Sequence, residues 1–304
     1  MNDVRVYLLS GLLGISAGLS QRSVMAFALI PQGALDSVVA IGSSQSGRNS
    51  WSGTGFLYGD FRETVSATQG AYSIYIVTNR HVIEGIQKTG VCETLIRFSP
   101  NASGQVIEYK QPLEKWFYGP PTAPDIAITP FQTPEETRGR FSSFDAILSN
   151  SQVADLARMR TLGVTEGDGV FILGFPIGVF TGPLAATLFP GDRHFPFARR
   201  GSIARIRDTL AGITPEFLVD GLVFPGNSGG PVVLQVESSA LQGTQQHQQA
   251  FVIGVVSAYL PYSDVAFSPQ TGRPRVSFDE NSGLTVVIPM DAVRTVIGLR
   301  VSTK

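Results

Sequence analysis

Short apolar runs, cut at regular intervals by glycine and proline, dominate this chain and predict strands more than helices. β-type runs lie near Ser37 to Ile41, Gly53 to Tyr58, Ser73 to Thr78, Thr94 to Phe98 and Asp125 to Pro130. A second set follows near Gly169 to Gly174, Arg200 to Ile206, Glu216 to Asp220, Pro231 to Val236, Phe251 to Ser257 and Leu284 to Pro289. Two stretches carry helical spacing instead. One is Gln152 to Met159; the other is Met290 to Ile297, where Asp291 can cap and Val293, Val296 and Ile297 share a face. No internal repeat interrupts the order, so the pattern predicts an all-β protein with a C-terminal helix.

Composition agrees: 43% of the residues are apolar, 15% are charged, and 33 glycines and 19 prolines punctuate the runs. A net charge of -1 gives the chain no general field toward nucleic acid or anionic membranes. The one local basic cluster, Arg193, His194, Arg199, Arg200, Arg205 and Arg207, reads as a solvated face. Cys92 is the single cysteine, which excludes an intrachain disulfide, and it is expected to be a small buried hydrophobe. No cluster has metal-ligand spacing and no glycine-rich loop leads from a strand into a helix, so neither a metal nor another cofactor is expected.

The chemistry concentrates in Gly226-Asn227-Ser228-Gly229-Gly230-Pro231. Glycines around a serine let the backbone adopt positive φ and bring N–H groups to one point, as an oxyanion site requires. The run also satisfies G-x-S-x-G, but in α/β-hydrolases a helix follows that serine, whereas Val232 to Val236 reads as a strand. The histidine that follows, His247, sits in a glutamine run expected to be a solvated loop. A better partner is His81, at the exit of the apolar strand Ile76-Val77-Thr78, and Asp125 heads another strand after a proline-rich stretch. A histidine after a strand, an Asp-Ile-Ala triplet and G-x-S-x-G are each common alone; their joint order is what points to acyl transfer.

These residues resemble the trypsin-like, chymotrypsin-fold serine peptidases, most closely the cysteine-poor bacterial branch of HtrA/DegP type. The resemblance rests on Ser52-Gly53-Thr54-Gly55-Phe56, Thr78-Asn79-Arg80-His81-Val82, Asp125-Ile126-Ala127, Leu173-Gly174-Phe175-Pro176-Ile177-Gly178 and the nucleophile loop Pro225 to Pro231. No PDZ-like segment is expected to follow. The family implies two six-stranded antiparallel β-barrels with the site in the cleft between them. It would make His81 the general base, Asp125 the carboxylate that orients it and Ser228 the nucleophile, with the N–H groups of Gly226 and Ser228 as the oxyanion hole. By the same alignment Leu222 would form the base of the primary pocket and Ser257, Ala258 and Tyr259 one wall. With no carboxylate there, an apolar preference is expected over Lys or Arg. Asn227 replaces the aspartate that pairs with a freshly cleaved N-terminus in digestive and clotting members, so activation of that kind is not expected.

The implied function is a serine endopeptidase acting on protein or peptide substrates. A catalytically silent binding module and an esterase on the same fold remain alternatives. Residues 25–135 are expected to form the first barrel, 136–164 the connection, and 165–304 the second barrel and terminal helix. Residues 1–24 admit three readings. They are a signal peptide with Tyr7 to Leu19 apolar and Ala26-Phe27-Ala28 as cleavage site, a weak membrane anchor, or an over-extended start preceding Met25. Cytoplasmic and exported locations therefore both stand. Glu237 to Ala250 reads as a hairpin tip, and Phe180 to Arg199 as a variable loop or a flap over the cleft.

Overall fold

The computed structural model describes residues 30–66, 69–99, 106–132, 146–177, 195–237 and 246–302, together with the backbone of Val6–Leu9. The chain is all-β with a C-terminal helix. In order, the first half contains β1 (Val6–Leu9), α1 (Gln32–Asp36), β2 (Val38–Gln45), β3 (Arg48–Ser66), β4 (Gln69–Thr78) and α2 (Arg80–Gln87). There follow β5 (Glu93–Phe98), β6 (Ile107–Pro112), β7 (Phe117–Tyr118), β8 (Ala127–Pro130) and β9 (Ile147–Leu148). The second half contains α3 (Leu156–Leu162), β10 (Gly169–Gly174), β11 (Phe197–Arg205), α4 (Arg207–Leu210) and β12 (Phe217–Asp220). It ends with β13 (Pro231–Leu234), β14 (Phe251–Phe267), β15 (Pro274–Pro289) and α5 (Asp291–Ser302).

The second set closes as a six-stranded barrel in the order β10-β11-β12-β15-β14-β13. The first set, expected as a six-stranded barrel, is instead a nine-stranded sheet whose main path runs β6-β5-β2-β3-β4-β8-β7, with no closing ladder between its ends among the described residues. Side chains bridge that seam instead. Gln111 Nε2 donates to Thr129 Oγ1 and to the Pro130 carbonyl at 3.3 Å, Thr129 Oγ1 donates to the Lys115 carbonyl, and Trp116 Nε1 donates to Thr94 Oγ1 at 3.1 Å. Pro112, which has no N–H, and the 3-10 turn at Leu113–Lys115 stop the backbone ladder there.

Three elements differ from the pattern-based expectation. The helix expected at Gln152 to Met159 begins later, because Val153 is drawn into a bridge with Val252 and the Asp155 carboxylate caps the Arg158 N–H at 2.9 Å. Asp291 accepts from the N–H of Leu156 at 2.9 Å, so it ties the start of α5 to α3. Finally, β14 and β15 run far past the barrel as one ribbon, pairing from Gly254↔Pro289 out to Phe267↔Pro274.

The two halves share one core. Val38, Phe56, Tyr58, Ile126 and Ile128 pack in one cluster with Phe171, Leu173, Val233, Val255 and Ile288, and α5 adds Val293, Val296 and Ile297. Each half also has its own apolar cluster, around Ile41, Ile76 and Ile96 and around Ile172, Val219 and Ile253. Burying residues of both halves in one cluster is what fixes their relative placement, and hence the cleft between them.

Candidate active site

His81 lies in the first turn of α2, two residues after the buried N-cap Asn79, rather than on an extended strand exit. Ile83 and Ile86 bury that helix on the first sheet, which holds the imidazole at the rim. Asp125 precedes the fully buried Ile126, whose neighbours Ala127 and Ile128 enter β8 beside β4. Its carboxylate receives two bonds: the His81 backbone N–H donates to Oδ1 at 3.0 Å, and His81 Nδ1 lies 2.6 Å from Oδ2. Ser257 Oγ stands 3.5 Å from Oδ2, and Asn79 Nδ2 donates to the Asp125 carbonyl at 2.9 Å. A carboxylate held on both oxygens presents Nδ1–H inward and leaves Nε2 free to accept a proton.

Ser228 reaches the same place from the second barrel. Gly226 and Gly229 on either side of it have φ of 100° and 87°, values that glycine adopts without strain. The serine hydroxyl donates to the Ser257 carbonyl at 3.0 Å. His81, Asp125 and Ser228 line one cleft of about 430 Å³, with Val223, Phe224, Pro225, Val256, Ser257, Ala258 and Tyr259.

The backbone of the loop is poised in a particular way. The N–H groups of Asn227, Gly229 and Gly230 are spent on Phe224, Val256 and Asn227 carbonyls, whereas those of Gly226 and Ser228 have no internal acceptor among the described residues. The Pro225 carbonyl accepts from Ile177 N–H and the Asn227 carbonyl from Gly230 N–H, both at 3.0 Å. In a trans peptide C=O and N–H point oppositely, so the Gly226 and Ser228 N–H groups face away from those internal turns.

Thr54 joins the two halves at this loop, a role the sequence signalled only as the threonine of Ser52-Gly53-Thr54-Gly55-Phe56. Its backbone N–H donates to the Ser228 carbonyl at 2.8 Å and its hydroxyl to the Gly226 carbonyl at 2.6 Å. Phe175 N–H donates to the same hydroxyl at 2.9 Å, and Thr78 Oγ1 donates to the Thr54 carbonyl at 2.7 Å. A Cβ on Gly229 would press into the Thr54 carbonyl and the Thr78 hydroxyl, which is why the loop needs glycine there.

Several expected positions lie elsewhere. Leu222 is 43% exposed and outside the cleft lining; its carbonyl accepts from Arg199, and the wall is made by Val223 and Phe224. Ser257, Ala258 and Tyr259 do line the cleft. Cys92 is exposed, because it sits in the turn before β5 instead of in the strand. His247 is buried, with Nε2 2.9 Å from Asp168 Oδ2, since Gln246 to Ala250 fold back to lead into β14. Asn227 is buried beside Gly174.

Of the basic cluster, Arg205 pairs with Asp208, Arg207 with Glu166, and the Arg199 guanidinium stacks 4.8 Å from the Phe224 ring; Arg193 and His194 lie outside the described residues. Most of Phe180 to Arg199 and the centre of Glu237 to Ala250 also lie outside them, as does Gly178. Among the described residues, no three His, Cys, Asp or Glu side chains converge on a metal position, and no helix is long and apolar enough to cross a membrane.

Solved structures that resemble the chain include the following three. Tobacco etch virus protease does so in a catalytically inactive form complexed with substrate (10% identity, 85% of this chain and 79% of that one, TM-score 0.41). It does so again in a catalytically active form complexed with product (10%, 91% and 82%, 0.41). The Drosophila Grass clip serine protease of the Toll pathway is similar over 92% of this chain and 73% of its own (12%, 0.44). No curated protein matches the sequence. A family model, described as the trypsin-like peptidase domain, matches residues 53–239, from the Gly53-Thr54-Gly55 strand through the histidine, the aspartate and the serine loop. The chain therefore belongs to the trypsin-like peptidase domain family.

Proposed function

We propose that the protein is a serine endopeptidase in which Ser228, His81 and Asp125 act as nucleophile, general base and orienting carboxylate. The observation that carries this reading is the 2.6 Å contact of His81 Nδ1 with Asp125, in a cleft that Ser228 also lines. On substrate binding the Ser228 hydroxyl leaves the Ser257 carbonyl, Oγ attacks the scissile carbonyl carbon, and its proton passes to His81 Nε2. The N–H groups of Gly226 and Ser228 receive the oxyanion; losing one such donor costs about 3 kcal/mol. Collapse of the intermediate breaks the C–N bond, and His81 returns the proton to the leaving amine. Water then repeats the sequence on the acyl-enzyme, with His81 taking its proton and Ser228 regaining one.

The side chains of Val223, Phe224, Val256 and Ala258 favour an apolar residue at the bond cleaved, and efficient cleavage after arginine in a peptide library overturns that preference. The HtrA/DegP-like branch remains the nearest reading of the motifs. A catalytically silent binding module is the second reading. It draws on the serine hydroxyl being engaged with Ser257 instead of His81. Fluorophosphonate labelling separates the two. Modification of Ser228, located by mass spectrometry and abolished in Ser228→Ala and His81→Ala, supports the peptidase; a folded protein that never labels supports the silent module.

A further inference from the structure

The strand that walls the cleft does not end there. After contributing Val256 to Tyr259, β14 runs on to Phe267 against β15. Neighbouring strands fall away: β13 pairs with β14 only as far as Val255, and β12 with β15 only from Leu284 to Val287. What projects is a two-stranded ribbon with unbroken register from Pro261↔Asn281 to Ala266↔Val276.

Residues directly opposite in an antiparallel ladder share a face, and alternate residues along a strand do too. One face of the ribbon therefore carries Tyr262, Ala266, Val276 and Phe278, with Asp264 and Glu280 between them. The other carries Ser263, Ser277 and Asp279, with Val265 and Pro261. Such segregation of apolar and polar positions ordinarily marks a sheet with one covered face. Here Tyr262, Phe278 and Val276 are 60%, 52% and 49% exposed. The ribbon is also tied to the cleft. Asn281 Nδ2 donates to the carbonyl of the cleft residue Val223 at 2.6 Å, and within the ribbon Ser282 Oγ donates to the Leu260 carbonyl at 2.6 Å.

We infer that the Tyr262/Val276/Phe278 face is an exosite that docks the part of a protein substrate flanking the scissile bond, an extended segment mixing apolar and basic residues. This rests on the peptidase reading. Continuity along β14 argues for the substrate as occupant, since a chain leaving the cleft beside Tyr259 meets the ribbon next. The two carboxylates among the aromatics supply the complement for lysine or arginine. Distance sets which substrates feel it: at ~3.4 Å per residue along β14, Tyr262 and Asp264 are about 17 Å and about 24 Å from Ser257, which receives the Ser228 hydroxyl, whereas a peptide of about four residues spans only ~13 Å.

The test compares a short chromogenic peptide with a long one of the same cleaved sequence extended by about eight apolar and basic residues at either end, using the wild type, Tyr262→Ser/Phe278→Ser and a polar-face control, Ser263→Ala/Ser277→Ala. The exosite variant is expected to lose about tenfold in kcat/KM on the long peptide. Its rate on the short peptide and its fluorophosphonate labelling should stay at wild-type level, and the control should not change. Equal losses on both peptides, or none on the long one, overturn the proposal. So does light scattering that finds a wild-type dimer broken by the exosite variant while long-peptide kinetics are unaltered, which assigns the face to a second copy. Should the wild type neither label nor cleave, fluorescence anisotropy of the long peptide on Ser228→Ala still decides the docking: binding that the exosite substitutions abolish supports the exosite, and no binding overturns it.

Discussion

The hydroxyl of Thr54 donates to the carbonyl of Gly226 at 2.6 Å, so a strand of the first sheet grips the Ser228 loop of the second barrel beside its serine. The same hydroxyl accepts from Phe175 N–H, and all of these groups are buried. Removing it leaves a buried carbonyl and a buried N–H unpaired at the junction that places Ser228 beside the first sheet.

Thr54→Val keeps the shape and deletes the hydroxyl. Stability is expected to fall by about 2–4 kcal/mol, and kcat by one or two orders of magnitude with KM little changed, while Thr54→Ser restores most of both. Chemical denaturation and steady-state kinetics read the two effects; a Val variant with wild-type kcat shows that Thr54 does not hold the loop.

Gly229→Ala forces a Cβ against the Thr54 carbonyl at a φ of 87°. The loop must shift, so fluorophosphonate labelling of Ser228 should fall steeply even under conditions where circular dichroism reports a folded β protein. Unimpaired labelling contradicts the fit described for this loop.

Asp125→Asn retains size but cannot accept from both His81 N–H groups as the carboxylate does. The expected consequence is a loss in kcat of about 10⁴-fold with a near-normal KM, because the imidazole loses its tautomer and orientation. A loss confined to KM argues against the orienting role.

Desolvation raises the Glu166 carboxyl, but N–H groups of Ile206 and Arg207 and the Arg207 guanidinium outweigh it and bring its pKa to about 2 from an ordinary 4.5. A depressed carboxylate contributes stability above its unfolded pKa and loses it as pH falls through the folded one. Glu166→Gln should therefore cost about 1–2 kcal/mol at pH 7, allowing for screening of the exposed Arg207. Urea melts at pH 7, 4 and 2 should show the parent and variant converging only near the lowest value.

Cys92 is exposed in the turn before β5 and does not line the cleft of His81, Asp125 and Ser228. The native protein is expected to react with one equivalent of a thiol reagent within minutes and to keep its activity. Reaction only after unfolding restores the buried reading of this side chain.

Sequence periodicity determined the central strands of both halves, since runs such as Gly169 to Gly174 and Phe251 to Ser257 alternate or bury on both faces whatever surrounds them, whereas the short strands β7 and β9 and the edge strand β6 went unread. The catalytic candidates were equally legible, because a serine among glycines is local chemistry and local chemistry is written in contiguous residues. Tertiary structure decided what depends on residues far apart in the chain. Asp291 was read as a cap for its own helix and instead receives the N–H of Leu156. His247 looked solvated among glutamines until packing placed Asp168 beside it. Leu222 and Val223 are neighbours with the same apolar character, and only the packing of the second barrel, which buries Val223 in the cleft wall and leaves Leu222 exposed outside it, decides which of them lines the cleft. The ribbon beyond Tyr259 went unread for a related reason: Tyr262, Ala266, Val276 and Phe278 are interspersed with polar residues along each strand and come to share a face only when β14 and β15 pair.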